Sequence, residues 1–245
     1  MFLALLAATA LPPALLSGNE ERFAACLLLA EKEPTHAIDE ATAWQIAGGG
    51  VLAKQCLGMA LAGQFRWGPA SLAFEQAARE AERNRDARAA RLWVQAGNAA
   101  LAGGEAAKAR AALDTAIISG NLTGPERGEA HLDRARVLVA LRQTRDARAD
   151  LNEAVKLVPQ DPLAWLLSAT LARREGDLAR AGTDIVEAVR LAPDDARVAM
   201  EAGNIAALQG NSGAARVAWE GAVKLAPESV SGKAAAEALK GLGAN

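Results

Sequence analysis

Between residues 162 and 193 the apolar positions fall into two helical runs. Trp165 and Ala169 lie four apart in the first, Gly176-Asp177 interrupts, and Ala181, Ile185 and Ala188 follow at the i, i+4, i+7 spacing of a second amphipathic helix. Pro193 comes after the last leucine of that helix and stops it, because proline cannot donate the next backbone hydrogen bond. The closing phrase, Glu187-Ala-Val-Arg-Leu-Ala-Pro193, has near copies ending at Pro159 and Pro227, so the three prolines stand 34 residues apart. The unit ending at Pro227 offers Gly203, Gly210-Asn211, Ala215, Trp219 and Ala222 at the same offsets. The one ending at Pro159 offers Ala135, Ala147, Leu151 and Ala154, with a turn that lacks glycine and reads Arg142-Gln143. Upstream, Trp93, Gly97, Gly104-Glu105, Ala109, Leu113 and Ala116 form one further unit, and Gly58, Ala70, Phe74 and Ala77 another.

The order of a large residue, a small one, a glycine turn, alanine, a large residue, alanine and proline resembles the tetratricopeptide repeat, whose period is about 34 residues. Small residues sit where two helices approach closely, and a single helix pair has too little apolar surface to fold alone, so stacked neighbours supply the core. The resemblance implies an all-α chain, an α-solenoid in which antiparallel helix pairs wind into a right-handed superhelix. Its groove is lined by the first helix of each pair. The expected organisation is an apolar N-terminal segment over 1–17, a degenerate first pair over 18–50 and five repeats over 51–229, at about 51–84, 90–123, 128–161, 162–195 and 196–229. Residues 230–245 would form a capping helix, which such arrays require.

Composition narrows the function classes. The chain has 245 residues, 51% of them hydrophobic, and a formal net charge of −2, which gives no electrostatic reason to bind nucleic acid or an anionic membrane. The stretch Met1 to Leu16 is apolar but shorter than the roughly 20 residues that span a bilayer. It reads as a signal peptide, with Ala8-Thr9-Ala10 as the small-x-small cleavage pattern, and so predicts export to the periplasm and no stable membrane insertion. The rival reading is an apolar segment packed on the first helix of a cytoplasmic protein. Export would permit a disulfide between Cys26 and Cys56; the alternative is two buried thiols.

Catalytic chemistry finds little support. His36 has no Ser, Cys or Asp arranged around it in a recognisable motif, and His131 falls in the slot that Trp93 and Trp165 occupy elsewhere, which predicts packing. Gly48-Gly49-Gly50 lacks the Lys-Ser/Thr of a phosphate loop and is expected to be a flexible connection. No Cys or His stands at metal-ligand spacing, so neither metal nor cofactor is expected. Trp93, Trp165 and Trp219 coincide with interior slots, which leaves no aromatic platform for bases. The family's groove positions map onto Arg91, Asn98, Arg136, Thr170, Arg173, Arg197 and Asn204, where Arg and Asn could hold a peptide carboxylate or main chain. The sequence therefore points to a non-catalytic scaffold that binds a protein or peptide partner. A self-association module, giving a homo-oligomer, and a regulatory subunit of an envelope biogenesis enzyme complex, with the chemistry supplied by its partner, are the alternatives.

Overall fold

The computed structural model describes residues 18–243, and among them there are thirteen α-helices and no strand. The apolar leader lies outside the described residues. In chain order the helices are α1 (Gly18–Lys32), α2 (Pro34–Ile46), α3 (Gly50–Gly63), α4 (Trp67–Arg83), α5 (Ala89–Ala102) and α6 (Ala106–Ile118). They continue with α7 (Gly124–Ala140), α8 (Thr144–Leu157), α9 (Pro162–Glu175), α10 (Leu178–Leu191), α11 (Ala196–Leu208), α12 (Ser212–Leu225) and α13 (Val230–Gly243). Contacts divide the chain into two compact units, one ending at Asn121 and one beginning at Leu122.

Helix boundaries follow from local chemistry. The repeated Leu-x-Pro phrase ends α8, α10 and α12 at Leu157, Leu191 and Leu225. Pro162 opens α9, where its missing N–H is not needed, and Asp161 caps that helix by accepting from the Leu163 N–H at 2.8 Å. Asp177, Asp195 and Asn211 cap α10, α11 and α12 in the same way. The reversal between the two helices of a pair needs a left-handed residue, which Gly176 supplies with φ +82° and Gly210 with φ +79°. At the same place Arg142 adopts φ +59° and Phe65 φ +58°, conformations that strain an L side chain.

In the second unit the core repeats with the sequence. Ala135 packs with Leu151, and Ala169 with Ile185, in successive buried clusters. Gly203 lies against the Trp219 ring so closely that a Cβ there would collide with it. Helix α13 closes this unit, with Ala235 buried against the Trp219 cluster.

In the first unit α1 packs on α2 and α3, α3 on α4, α4 on α5, and α5 on α6. Phe74, Leu92 and Leu113 fill its interior, with Gly58 giving way to the Phe74 ring. Cys26 of α1 and Cys56 of α3 are joined as a disulfide, their Cα atoms 6.2 Å apart, a separation within the usual range. Within Gly48-Gly49-Gly50 only the middle residue is tightly packed: the backbone at Gly49 backs onto the buried Trp44 ring, and a Cβ would come within 2.5 Å of it, whereas Gly48 is exposed with open space beside it.

Candidate functional site

The second unit presents a cleft of about 240 Å³ between its first helices α7 and α9. Its apolar lining comes from Val139, Leu151, Leu167 and Leu171, and Arg136, Thr170 and Arg174 line it as polar groups. Arg136 is exposed and keeps a 3.3 Å contact to Asp133, one turn earlier on the same helix. Arg136 and Thr170 are thus two of the groove positions expected from the sequence, brought together in one cleft.

Arg173 points elsewhere. Its Nε donates to Glu201 Oε1 at 2.6 Å and its Nη2 to Oε2 at 3.2 Å, tying α9 to α11. Asn204 shares that carboxylate at 3.4 Å and accepts from the buried Trp219 indole at 3.3 Å. Arg197 folds back on its own cap, Asp195, with Nη2 to Oδ2 at 2.5 Å. The ion pair raises the Arg197 guanidinium and lowers the Asp195 carboxyl from their ordinary values, hydrogen bonding being the main cause in both. Arg91 and Asn98 lie on α5 in the first unit, Arg91 exposed and Asn98 half-buried. The cleft's second arginine is Arg174, one residue from Arg173; a step of one residue turns a helical side chain by about 100°, and only the fold shows which of the two faces inward.

Beneath this face the helix pairs are joined by buried polar groups. His131 is 6% exposed, and its Nδ1 lies 2.8 Å from Asp150 Oδ1. Arg134 donates to the same carboxylate through Nε and Nη2, both at 2.7 Å. Burial works to raise the Asp150 carboxyl, yet the hydrogen bonds and charges of Arg134 and His131 bring it below its ordinary value. The following pair places Ser168 and Asp184 in the corresponding slots, 34 residues on, with Ser168 Oγ donating to Asp184 Oδ2 at 2.6 Å. Arg180 adds bonds to Asp184 at 3.2 Å and to Asn152 at 2.6 Å. In the last pair the same two slots hold Ala202 and Ala218. His131 is thus one member of an interhelical salt-bridge network, held where its neighbours carry tryptophan.

Trp93 and Trp219 are buried, at 9% and 6% exposure, and Trp93 Nε1 donates to Glu82 at 2.8 Å. Among the described residues no group of His, Cys, Asp and Glu is arranged to hold a metal ion, and no helix is long and apolar enough to cross a membrane.

The sequence profile of the tetratricopeptide repeat matches residues 94–142, 132–195 and 169–230. No curated protein sequence matches the chain. Among solved structures, the PilF protein of Pseudomonas aeruginosa superposes with a TM-score of 0.71 at 17% identity, over 88% of this chain and 96% of its own. PilW, described as a widely conserved type IV pilus biogenesis factor, gives 0.70 at 20% identity, over 86% of this chain and 96% of its own. YrrB, described as a TPR protein with an unusual peptide-binding site, gives 0.61 at 21% identity, over 81% of this chain and 96% of its own. At these identities the likeness is one of fold.

Proposed function

Because the chain belongs to the tetratricopeptide repeat family, an all-α solenoid fold that serves protein–protein interaction, we propose that it is a non-catalytic scaffold whose α7–α9 cleft binds a segment of a partner protein. The observation that carries this reading is the cleft's make-up: an apolar floor of leucine and valine with Arg136 and Arg174 beside it. Such a surface favours an extended segment with an apolar side chain for the floor and a carboxylate for the arginines. Thr170 offers a hydroxyl to the main chain between them. The peptide-binding site of YrrB and the pilus-biogenesis role of PilW are properties of those proteins; both agree with a scaffold reading of the shared fold.

Crosslinking in cells, identification of the captured segment and measurement of its affinity test the proposal. Arg136→Glu with Arg174→Glu reverses both charges at the cleft while leaving the Arg173–Glu201 link intact. The affinity should fall by at least about tenfold, since a charge-assisted hydrogen bond contributes roughly 1.5–3 kcal/mol. Unchanged binding would remove this cleft as the site.

We further read the chain as exported, on the strength of its apolar leader with the Ala8-Thr9-Ala10 pattern and of the paired Cys26 and Cys56. Fusing the leader to alkaline phosphatase, which is active only outside the cytoplasm, checks this; an inactive fusion would count against export.

A further inference from the structure

A second surface lies between the second helices of the last two pairs. A groove of about 420 Å³ opens between α10 and α12, with α11 as its floor and Val189, Val217 and Leu225 exposed along its walls. The preceding pair shows what belongs in such a space. There Trp165 caps the turn, its Nε1 donating to the Pro159 carbonyl at 2.9 Å, with Arg180 and Asp184 in the slots beside it. Thirty-four residues on, Ala199 stands in place of Trp165, Ala214 in place of Arg180 and Ala218 in place of Asp184. Pro193 repeats Pro159, yet no described N–H or O–H donates to its carbonyl. The groove thus keeps the acceptor and apolar walls of a tryptophan site and lacks the tryptophan.

We propose that this groove receives a tryptophan side chain from a segment of another protein, with the indole N–H donating to the Pro193 carbonyl. Charge complementarity selects the occupant. None of the groove's lining residues is ionisable, so a charged side chain would lose its water without gaining a partner, whereas an indole loses little. Along α12 beside the groove the exposed charges are Arg216, Glu220 and Lys224, while exposed Asp194 follows the acceptor proline, so acidic residues flanking the tryptophan are favoured on the α12 side alone. A second copy of this chain is a poor donor. Trp44, Trp93 and Trp219 are buried, Trp165 already uses its N–H, and Trp67 is half-buried where α4 begins, beside Phe65.

The test starts with indole itself, titrated into the full chain while the amide resonances of Val189, Ala199 and Val217 are followed. Saturable shifts with a dissociation constant on the order of 1 mM are expected for so small a ligand. Ala199→Trp supplies the missing side chain from within and should weaken indole binding at least about tenfold, with the unfolding midpoint unchanged or raised. Val217→Asp charges a wall residue that is 70% exposed, so the fold should tolerate it, and it should weaken indole binding to a similar degree. A glutamate-flanked tryptophan peptide should bind at least tenfold tighter than its Trp→Ala counterpart and a few-fold tighter than its Trp→Phe counterpart. The absence of saturable shifts, shifts that survive both substitutions, or equal affinity for the three peptides would each overturn the proposal. So would concentration-dependent dimerisation that Val217→Asp abolishes, since that would make a second copy the occupant.

Discussion

Asp150→Ala should be among the most damaging single substitutions in the second unit. The carboxylate is 4% exposed and both of its oxygens are used, Oδ1 by His131 and Arg134 and Oδ2 by Arg134. Removing it takes from the Arg134 guanidinium, whose side chain is 19% exposed, the carboxylate to which it donates twice. Breaking a buried pair from one side costs about 3–5 kcal/mol; because Arg134 keeps some access to water, the lower end, about 3 kcal/mol, is expected. Arg134→Ala with Asp150→Ala should cost less, about 1–2 kcal/mol, because neither charge of the pair is left behind, only the bond to His131 Nδ1 is lost in addition, and the two slots then match Ala202 and Ala218 of the last pair. Urea unfolding near neutral pH, followed by far-ultraviolet circular dichroism on both single variants and the double, measures the cycle. Acid supplies a second reading. The folded Asp150 carboxyl is held below its ordinary value of 3.8, so its stabilisation is fully present above that pH and is lost as pH falls through the lower folded value. Asp150→Asn should therefore flatten the acid limb of the stability profile. If Asp150→Ala cost less than about 1 kcal/mol, or if the double variant cost the sum of the singles, the pairing would not hold these helices together.

Three other outcomes follow from the geometry. Arg142→Gly relieves a left-handed backbone at φ +59° and should stabilise by up to about 1 kcal/mol after the entropy lost to glycine in the unfolded chain; a lower urea midpoint would contradict it. Gly203→Ala forces a methyl group into the Trp219 ring and should cost about 1–3 kcal/mol, with a change in the tryptophan emission that a mere loss of helix propensity would not give. The denatured, unreduced protein should show no free thiol. Cys26→Ala with Cys56→Ala should lose about 3–4 kcal/mol, as expected for closing a loop across 30 positions, seen as a midpoint matching that of the reduced wild type.

Much of the architecture was legible because it repeats. The proline spacing placed the ends of α8, α10 and α12, and the small-residue slots placed the close contacts, as Gly203 against Trp219 shows. His131 in a tryptophan slot was legible as interior, and it is 6% exposed. Its link to Asp150 was not, because residues 19 apart meet only after two helices have packed at a particular rotation. The same limit applies to the arginines of α9: Arg173 and Arg174 are equivalent in a sequence pattern, while the fold gives one to Glu201 and the other to the cleft. The first pair was readable only as a degenerate unit, since its order depends on α1 meeting α3, where the two cysteines lie.

The varying contents of one buried slot pair bear on how a chain of near-copies finds its proper partners. Arg134 meets Asp150, Ser168 meets Asp184, and Ala202 shares its pair with Ala218. Helices alike enough to exchange places are thereby made unequal. If α8 docked on α11 in place of α7, Asp150 would be buried against alanine, and if α12 took the place of α8, Arg134 would face a methyl group. Either error separates Asp150 from Arg134 and forfeits their buried bonds, so the polar pairs act as a register key that penalises mispaired repeats while the apolar framework alone would accept them.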